Sequence, residues 1–141
     1  MNATRHILVA SPDLASRRAL VAVINEEGHS TITVSRVRDC QDLLQTHDIR
    51  MIFCDRRLAD GTYRDVLAAA RTSKHQVPVV VNSRLAGWEE YREVLREGAW
   101  DLIACPCHPA DVLRILGQVN GDENLDPGSV AEPRLSTEIG A

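Results

Sequence analysis

Short apolar runs alternate with amphipathic stretches along the chain, five times over. The runs at 6–10, 31–34, 51–54, 77–81 and 101–104 have strand length and are rich in Val and Ile. Between and after them, 12–27, 37–46, 62–73, 88–97 and 109–119 have helical periodicity. In the first of these, Leu14, Val21 and Ile24 fall at helical spacing and mark the apolar face. Ser11 and Pro12 are read as its start, an N-cap hydroxyl followed by proline in the first turn. Gly28 and Gly98 are read as the stops of the first and fourth helices. Such alternation implies an α/β domain, with a parallel sheet, right-handed crossovers and helices on both faces. Strands without polar alternation fit a sheet buried on both sides.

The pattern stops near Asn120, where Gly, Asp, Asn and Pro take over and periodicity is lost. The expectation is one domain over 1–119 and a polar, disordered tail over 120–141. A length of 141 residues, with 44% apolar and 26% charged residues, suits a single self-sufficient core. The net charge of -4 argues against nonspecific affinity for nucleic acid. No apolar run is long enough to span a membrane, and the start is too short for a signal peptide. Four cysteines in such a chain read as reduced thiols in the cytoplasm.

One residue stands out chemically. The third apolar run ends as Phe53-Cys54-Asp55 and then turns through Arg56-Arg57-Leu58-Ala59-Asp60-Gly61. That places the Asp55 carboxylate at the carboxyl edge of the sheet, where open α/β sheets bind ligands. Val77-Pro78-Val79-Val80-Val81-Asn82-Ser83 brings a hydroxyl to the same edge, and Glu97-Gly98-Ala99-Trp100-Asp101 leads into the last strand. Together these segments resemble the receiver domain of bacterial two-component response regulators, over about residues 5–119. The resemblance implies a flavodoxin-like (βα)5 doubly wound, three-layer sandwich with strand order 2-1-3-4-5.

It further implies that Asp55 is a phosphoacceptor, attacking a phosphoryl donor to form an acyl phosphate. In the family, Mg²⁺ is held by two acids after the first strand, the acceptor Asp and a backbone carbonyl two residues on. Asp55 and the Arg57 carbonyl keep their places, and Ser83 keeps the hydroxyl that contacts the phosphoryl group. Ser11 and Pro12 stand where the acid pair belongs, and Cys105, before Pro106, stands where the family has Lys. Leu102 stands where the family often has the aromatic residue of the switch. A hard cation wants carboxylate oxygens, so Mg²⁺ is expected to bind weakly. The lost lysine removes a charge-assisted contact of about 1.5–3 kcal/mol. Asp13, one position past the acid pair, is read as serving the helix dipole. Arg84, beside Ser83, or Arg56 is expected to pair with Asp55 and replace part of the lost charge.

Two functions remain open on these residues. The first is a stand-alone phosphorelay receiver that takes a phosphoryl group from a histidine kinase or phosphotransfer protein and signals to a downstream protein in trans. The alternative is a degenerate pseudo-receiver, a phosphorylation-independent interaction module. The helix at 88–97, opening with Trp88 and Tyr91, is a candidate homodimer face, while Trp100 reads as core. Enzyme activity is not expected, because no glycine-rich phosphate loop follows the first strand. Cys105, Cys107 and His108 lack a fourth zinc ligand, since Cys40 and Cys54 fall on a helix and within a strand, and no Cys-x-x-Cys pair suggests redox chemistry.

Overall fold

The computed structural model describes residues 5–73, 75–85 and 87–121. In chain order the elements are β1 (His6–Ala10), α1 (Leu14–Glu26), β2 (Ser30–Val34), α2 (Val37–Thr46), β3 (Ile49–Asp55), β4 (Arg57–Leu58) and β5 (Gly61–Thr62). They continue with α3 (Tyr63–Arg71), β6 (Val79–Ser83), α4 (Trp88–Arg96), β7 (Asp101–Ala104) and α5 (Pro109–Gly121). Five strands form one parallel sheet in the order β2-β1-β3-β6-β7. With the small antiparallel β4–β5 ladder set aside, this is the expected 2-1-3-4-5 order.

Successive residues of the central strands point to opposite faces. Leu8, Ile52, Cys54, Val79 and Val81 join Val37, Cys40, Val66, Tyr91 and Val94 in one core layer. Ile7, Val9, Met51, Phe53 and Val80 join Leu20, Ile24, Trp100, Val112 and Ile115 in the other. Trp100 is thus core, as its position suggested.

Most element boundaries differ from the sequence reading by one or two residues, β3 running from Ile49 to Asp55 against 51–54, and three further cases stand out. First, β6 begins at Val79 rather than Val77 and runs on to Ser83. Pro78 has no N–H to give a ladder, and its carbonyl instead accepts the Ile52 amide at 3.0 Å. Second, α1 begins at Leu14, and its N-cap is Asp13 instead of Ser11: the Asp13 carboxylate accepts from Ser16, while the Ser11 hydroxyl donates to Asp55 and accepts the Asp13 amide. Its buried row is Ser16, Leu20 and Ile24; of the expected face Ile24 is buried, Val21 packs partly buried against the same core, and Leu14 is exposed. Third, α5 continues through Gly121, two residues past the expected boundary; the rest of the proposed tail, 122–141, lies outside the described residues. Gly98 ends α4 as expected, at φ +112°, and a Cβ there would stand 2.9 Å from Nη2 of Arg71.

A polar cluster ties α3 to α4. The Tyr63 hydroxyl donates to Oε1 of Glu97, while Arg64 donates to Oε2 of Glu97 at 2.8 Å and to Glu93 at 2.7 Å. The Tyr63 hydrogen bond and then Arg64 hold the Glu97 carboxyl below its ordinary 4.5. Burial, followed by the Glu97 contact, pushes Tyr63 from 10.0 up to about 12. The depressed carboxyl stabilises the fold above its ordinary value and loses that contribution as pH falls through the folded value. The raised phenol stabilises below 10.0 and loses its contribution as pH climbs toward about 12. The pair's contribution to the thermal midpoint, read by circular dichroism as the difference between wild type and its variants, should therefore hold level between roughly pH 5 and pH 9 and decline on both sides. Glu97→Gln should make the acid decline shallower, and Tyr63→Phe the alkaline one.

Candidate functional site

Asp55 closes β3, the middle strand of the sheet, between the ends of β1 and β6. The loop after it is fastened at both shoulders. Asp60 caps α2, accepting the amides of Val37 at 2.6 Å and Arg38 at 3.1 Å. Those bonds, Val37 first, hold the Asp60 carboxyl below its ordinary value. On the other side Thr62 and Asp65 form a capping box on α3. Gly61 lies so close to this box that a Cβ would collide with the Asp65 carboxylate and stand 2.9 Å from Cγ2 of Val37. The backbone that presents Asp55 is therefore fixed by local chemistry.

Both oxygens of Asp55 have donors from the chain itself. The buried Ser11 hydroxyl donates to Oδ2 at 2.6 Å. The Asn82 amide, in register with Asp55 across the β3–β6 pair, donates to Oδ1 at 3.0 Å. Hydrogen bonds to a charged group contribute about 1.5–3 kcal/mol each. Ser11, at the first of the two positions where the resemblance puts acids, is thus a neutral donor to Asp55 and not a ligand beside it.

The expected pairing of Asp55 with arginine is not what the structure contains. Arg84, its side chain 73% exposed, reaches Asp13 at 3.1 Å. Asp13 is occupied as the α1 cap, accepting the Ser16 amide at 3.2 Å and hydroxyl at 2.7 Å. The Ser16 hydroxyl is the largest cause of the lowered Asp13 pKa, with Arg84 a smaller one. Arg56 turns to Glu90, with Nε 2.8 Å from Oε2. Asp55 already has two neutral donors, and the long arginine side chains pair with other carboxylates, Asp13 and Glu90. The Ser83 hydroxyl, assigned to a phosphoryl contact, donates instead to Oε1 of Glu90 at 2.7 Å.

Asp55 opens into a cleft of about 430 Å³ whose lining includes Pro12, Asp13, Arg56, Arg57, Ser83, Arg84 and Cys105. Pro12 brings no ligand atom to it, and the exposed Arg57 stands opposite Thr62 in the β4–β5 ladder. Cys105 lies 2.8 Å from the Ser16 hydroxyl, and the peptide between Cys105 and Pro106 is cis. Burial pushes Cys40 up to about 12 and Cys54 well above its ordinary value, as it also raises Cys107. The thiolate is the form that binds metal or attacks a disulfide, so burial favours the less reactive protonated form of these thiols. Trp88, half exposed, stacks on Tyr91 at 6.0 Å between ring centroids.

Sequence reasoning missed Asn82, Ser16 and Glu90. Asn82 carries a legible signal, a lone amide inside an apolar strand. Glu90 carries none, since an acid in the first turn of a helix is ordinary.

Comparison with known proteins agrees with this geometry. The model of the response regulator receiver domain matches residues 7–116. The alginate biosynthesis transcriptional regulatory protein AlgB of Pseudomonas aeruginosa is 29% identical over 109 residues, which cover 77% of this chain and 24% of AlgB. The chain therefore spans about a quarter of that relative's length. Among solved structures, the receiver domain of Ssk1 from Saccharomyces cerevisiae, crystallised with the histidine phosphotransfer protein Ypd1, is similar with a TM-score of 0.76. It is 12% identical and covers 89% of this chain and 94% of its own. The receiver domain of the sensor histidine kinase PA1611 from Pseudomonas aeruginosa has a TM-score of 0.72 at 19% identity, covering 82% of this chain and 97% of its own.

The PA1611 structure holds a magnesium ion in its active-site cleft. The donors here fit such an ion poorly. Ser11 gives its proton to Asp55, Pro12 has no donor atom, and Asp13 is turned to Ser16 and Arg84. Among the described residues, no group of three or more His, Cys, Asp or Glu could hold a metal. The fold and the match over residues 7–116 together identify the chain as a member of the response regulator receiver domain family of two-component signalling.

Proposed function

We propose that this receiver domain works as a non-enzymatic, cytoplasmic interaction module whose state is set without magnesium-dependent phosphoryl transfer to Asp55. One observation carries the reading. Both Asp55 oxygens are hydrogen-bonded by the chain, from Ser11 at 2.6 Å and Asn82 at 3.0 Å. Phosphoryl transfer needs the charge of the transferring group neutralised as the bond forms. Here a neutral hydroxyl and a proline replace the acid pair and a thiol replaces the lysine, which puts the pseudo-receiver reading ahead of phosphoryl acceptance. Output would pass to a protein partner, and the α4 face with its half-exposed Trp88 suits either a downstream protein or a second copy.

A second reading has its own support. Asp55 faces an open cleft of about 430 Å³, roomy enough for a donor phosphohistidine from a histidine kinase or phosphotransfer protein. On that reading Asp55 still accepts the phosphoryl group, with Ser83 turning inward to contact it. The two readings separate on titration with Mg²⁺ and then beryllofluoride plus Mg²⁺, followed by amide NMR and Trp fluorescence, with Asp55→Asn as control. A flat response at millimolar Mg²⁺ is expected. Saturable shifts that vanish in Asp55→Asn would overturn the first reading and establish the second.

A further inference from the structure

His6 opens β1 at the amino edge of the sheet, the end away from Asp55, and His47 is the C-cap of α2. The His6 amide donates to the Asp48 carbonyl at 2.9 Å, so a backbone hydrogen bond ties the two segments together beside the rings. The imidazoles meet edge to face, with centroids 5.8 Å apart and planes at 66°. The Thr46 hydroxyl gives its proton to the Asp42 carbonyl at 3.0 Å, so its oxygen accepts from Nδ1 of His47 at 2.8 Å. In the neutral ring that leaves the lone pair on Nε2. Nδ1 of His6 lies 2.9 Å from the Ser30 hydroxyl, which is able to accept in the same way. Packing alone would account for the ring contact, but it does not require both Nδ1 atoms to be turned to hydroxyls. A metal-bound histidine is commonly held by such a hydrogen bond from its other ring N–H.

We propose that His6 and His47 form a two-imidazole site for a divalent transition-metal cation, bound through the two Nε2 atoms. Imidazole suits zinc, copper and nickel, whereas magnesium prefers oxygen. A zinc–nitrogen bond is about 2.0–2.1 Å, so two rings on one ion have centroids at most roughly 6.5 Å apart. The observed 5.8 Å falls inside that limit, and the exposed His47 is able to adjust its ring. Water fills the remaining positions, which makes this an open site. The bound ion would clamp the start of β1 to the end of α2 and stabilise the fold by linkage. The site stands at the opposite edge of the sheet from Asp55, so it goes beyond the interaction-module reading and does not depend on it.

The test is a zinc titration of the untagged full chain by calorimetry, in chelator-free buffer at about pH 7.5, where imidazole is neutral. Magnesium in excess occupies any oxygen-lined site, so a failure here is distinct from a failure of the magnesium and beryllofluoride titration. One zinc per chain is expected, with side-chain NMR shifts at Nε2 of His6 and His47. His6→Ala and His47→Ala should each weaken binding at least about tenfold, and Thr46→Val, which removes only the supporting hydroxyl, about tenfold. His75 lines the same cavity of about 270 Å³ as His47, and His75→Ala should leave the affinity unchanged. His6→Gln serves as a second variant that keeps a polar group beside Ser30, and circular dichroism melts establish that each variant is folded. Zinc should raise the melting midpoint of the wild type and not that of His6→Gln/His47→Gln. No heat and no shift with zinc, wild-type affinity in the His6 and His47 variants, or shifts centred on Cys105, Cys107 and His108 would each overturn the proposal.

Discussion

Ser11→Asp should destabilise the domain by about 3 kcal/mol at neutral pH, and magnesium should restore most of that loss once Pro12→Asp is added. The Ser11 side chain is fully buried, and its hydroxyl sits 2.6 Å from Asp55. Aspartate at 11 replaces a donor with a second acceptor and sets two carboxylates side by side. Two such groups cannot both be ionised without large cost, so they share a proton and the pKa of the pair rises. The penalty is therefore present at neutral pH and fades as pH falls through the raised value. A divalent cation relieves it differently, by supplying charge between the acids. If Mg²⁺ reaches a hundred times its dissociation constant, linkage returns about 2.7 kcal/mol. Urea melts with and without Mg²⁺, against NaCl of equal ionic strength, measure both effects. A loss below about 1 kcal/mol, or equal responses to Mg²⁺ and NaCl, would mean the Ser11–Asp55 bond matters less than its length suggests.

That experiment bears on why the fold was easier to read than the site. Strand and helix periods are local, and the five units follow from residues within a few positions of one another. Asp55 was legible because one apolar run ends on it. Ser11, 44 residues away, was legible as a departure, but not as the donor that satisfies Asp55. Its proton goes to Asp55 while its oxygen accepts the Asp13 amide, and only tertiary geometry reveals the first of these bonds. Asp13, not Ser11, caps α1, and the helix begins two residues later than expected. Arg84 and Arg56 show the limit more sharply. Long cationic side chains on a surface choose among several acids by small differences. No local pattern says that Arg84 reaches Asp13, 71 positions back, or that Arg56 meets Glu90 on another helix.

Phe53→Ala should cost about 3–5 kcal/mol, an appreciable fraction of the whole stability of a domain this size. Phe53 is the chain's one phenylalanine, fully buried in β3 and packed among the residues of the α1 and α5 layer. Its neighbours Val9 and Val80 are strand residues held by hydrogen bonds on both sides, so they cannot collapse into the space left behind. Loss of transfer energy and an unfilled cavity therefore add. Phe53→Leu keeps more of the volume and should cost under about 2 kcal/mol. Denaturant melts would rank the two, and a reversed order would mean that this layer repacks freely. The consequence for the site lies in geometry. Asp55 shares the strand two residues on, and like Phe53 it points to the α1 side of the sheet pleat. Slack at Phe53 should loosen the register of Asp55 against Asn82, visible as faster amide exchange at Asp55 and Asn82 than at Val81. Faster exchange only at the α1 and α5 amides would instead mean that the hydrogen bonds from Ser11 and Asn82 hold the carboxylate in place without help from the core behind it.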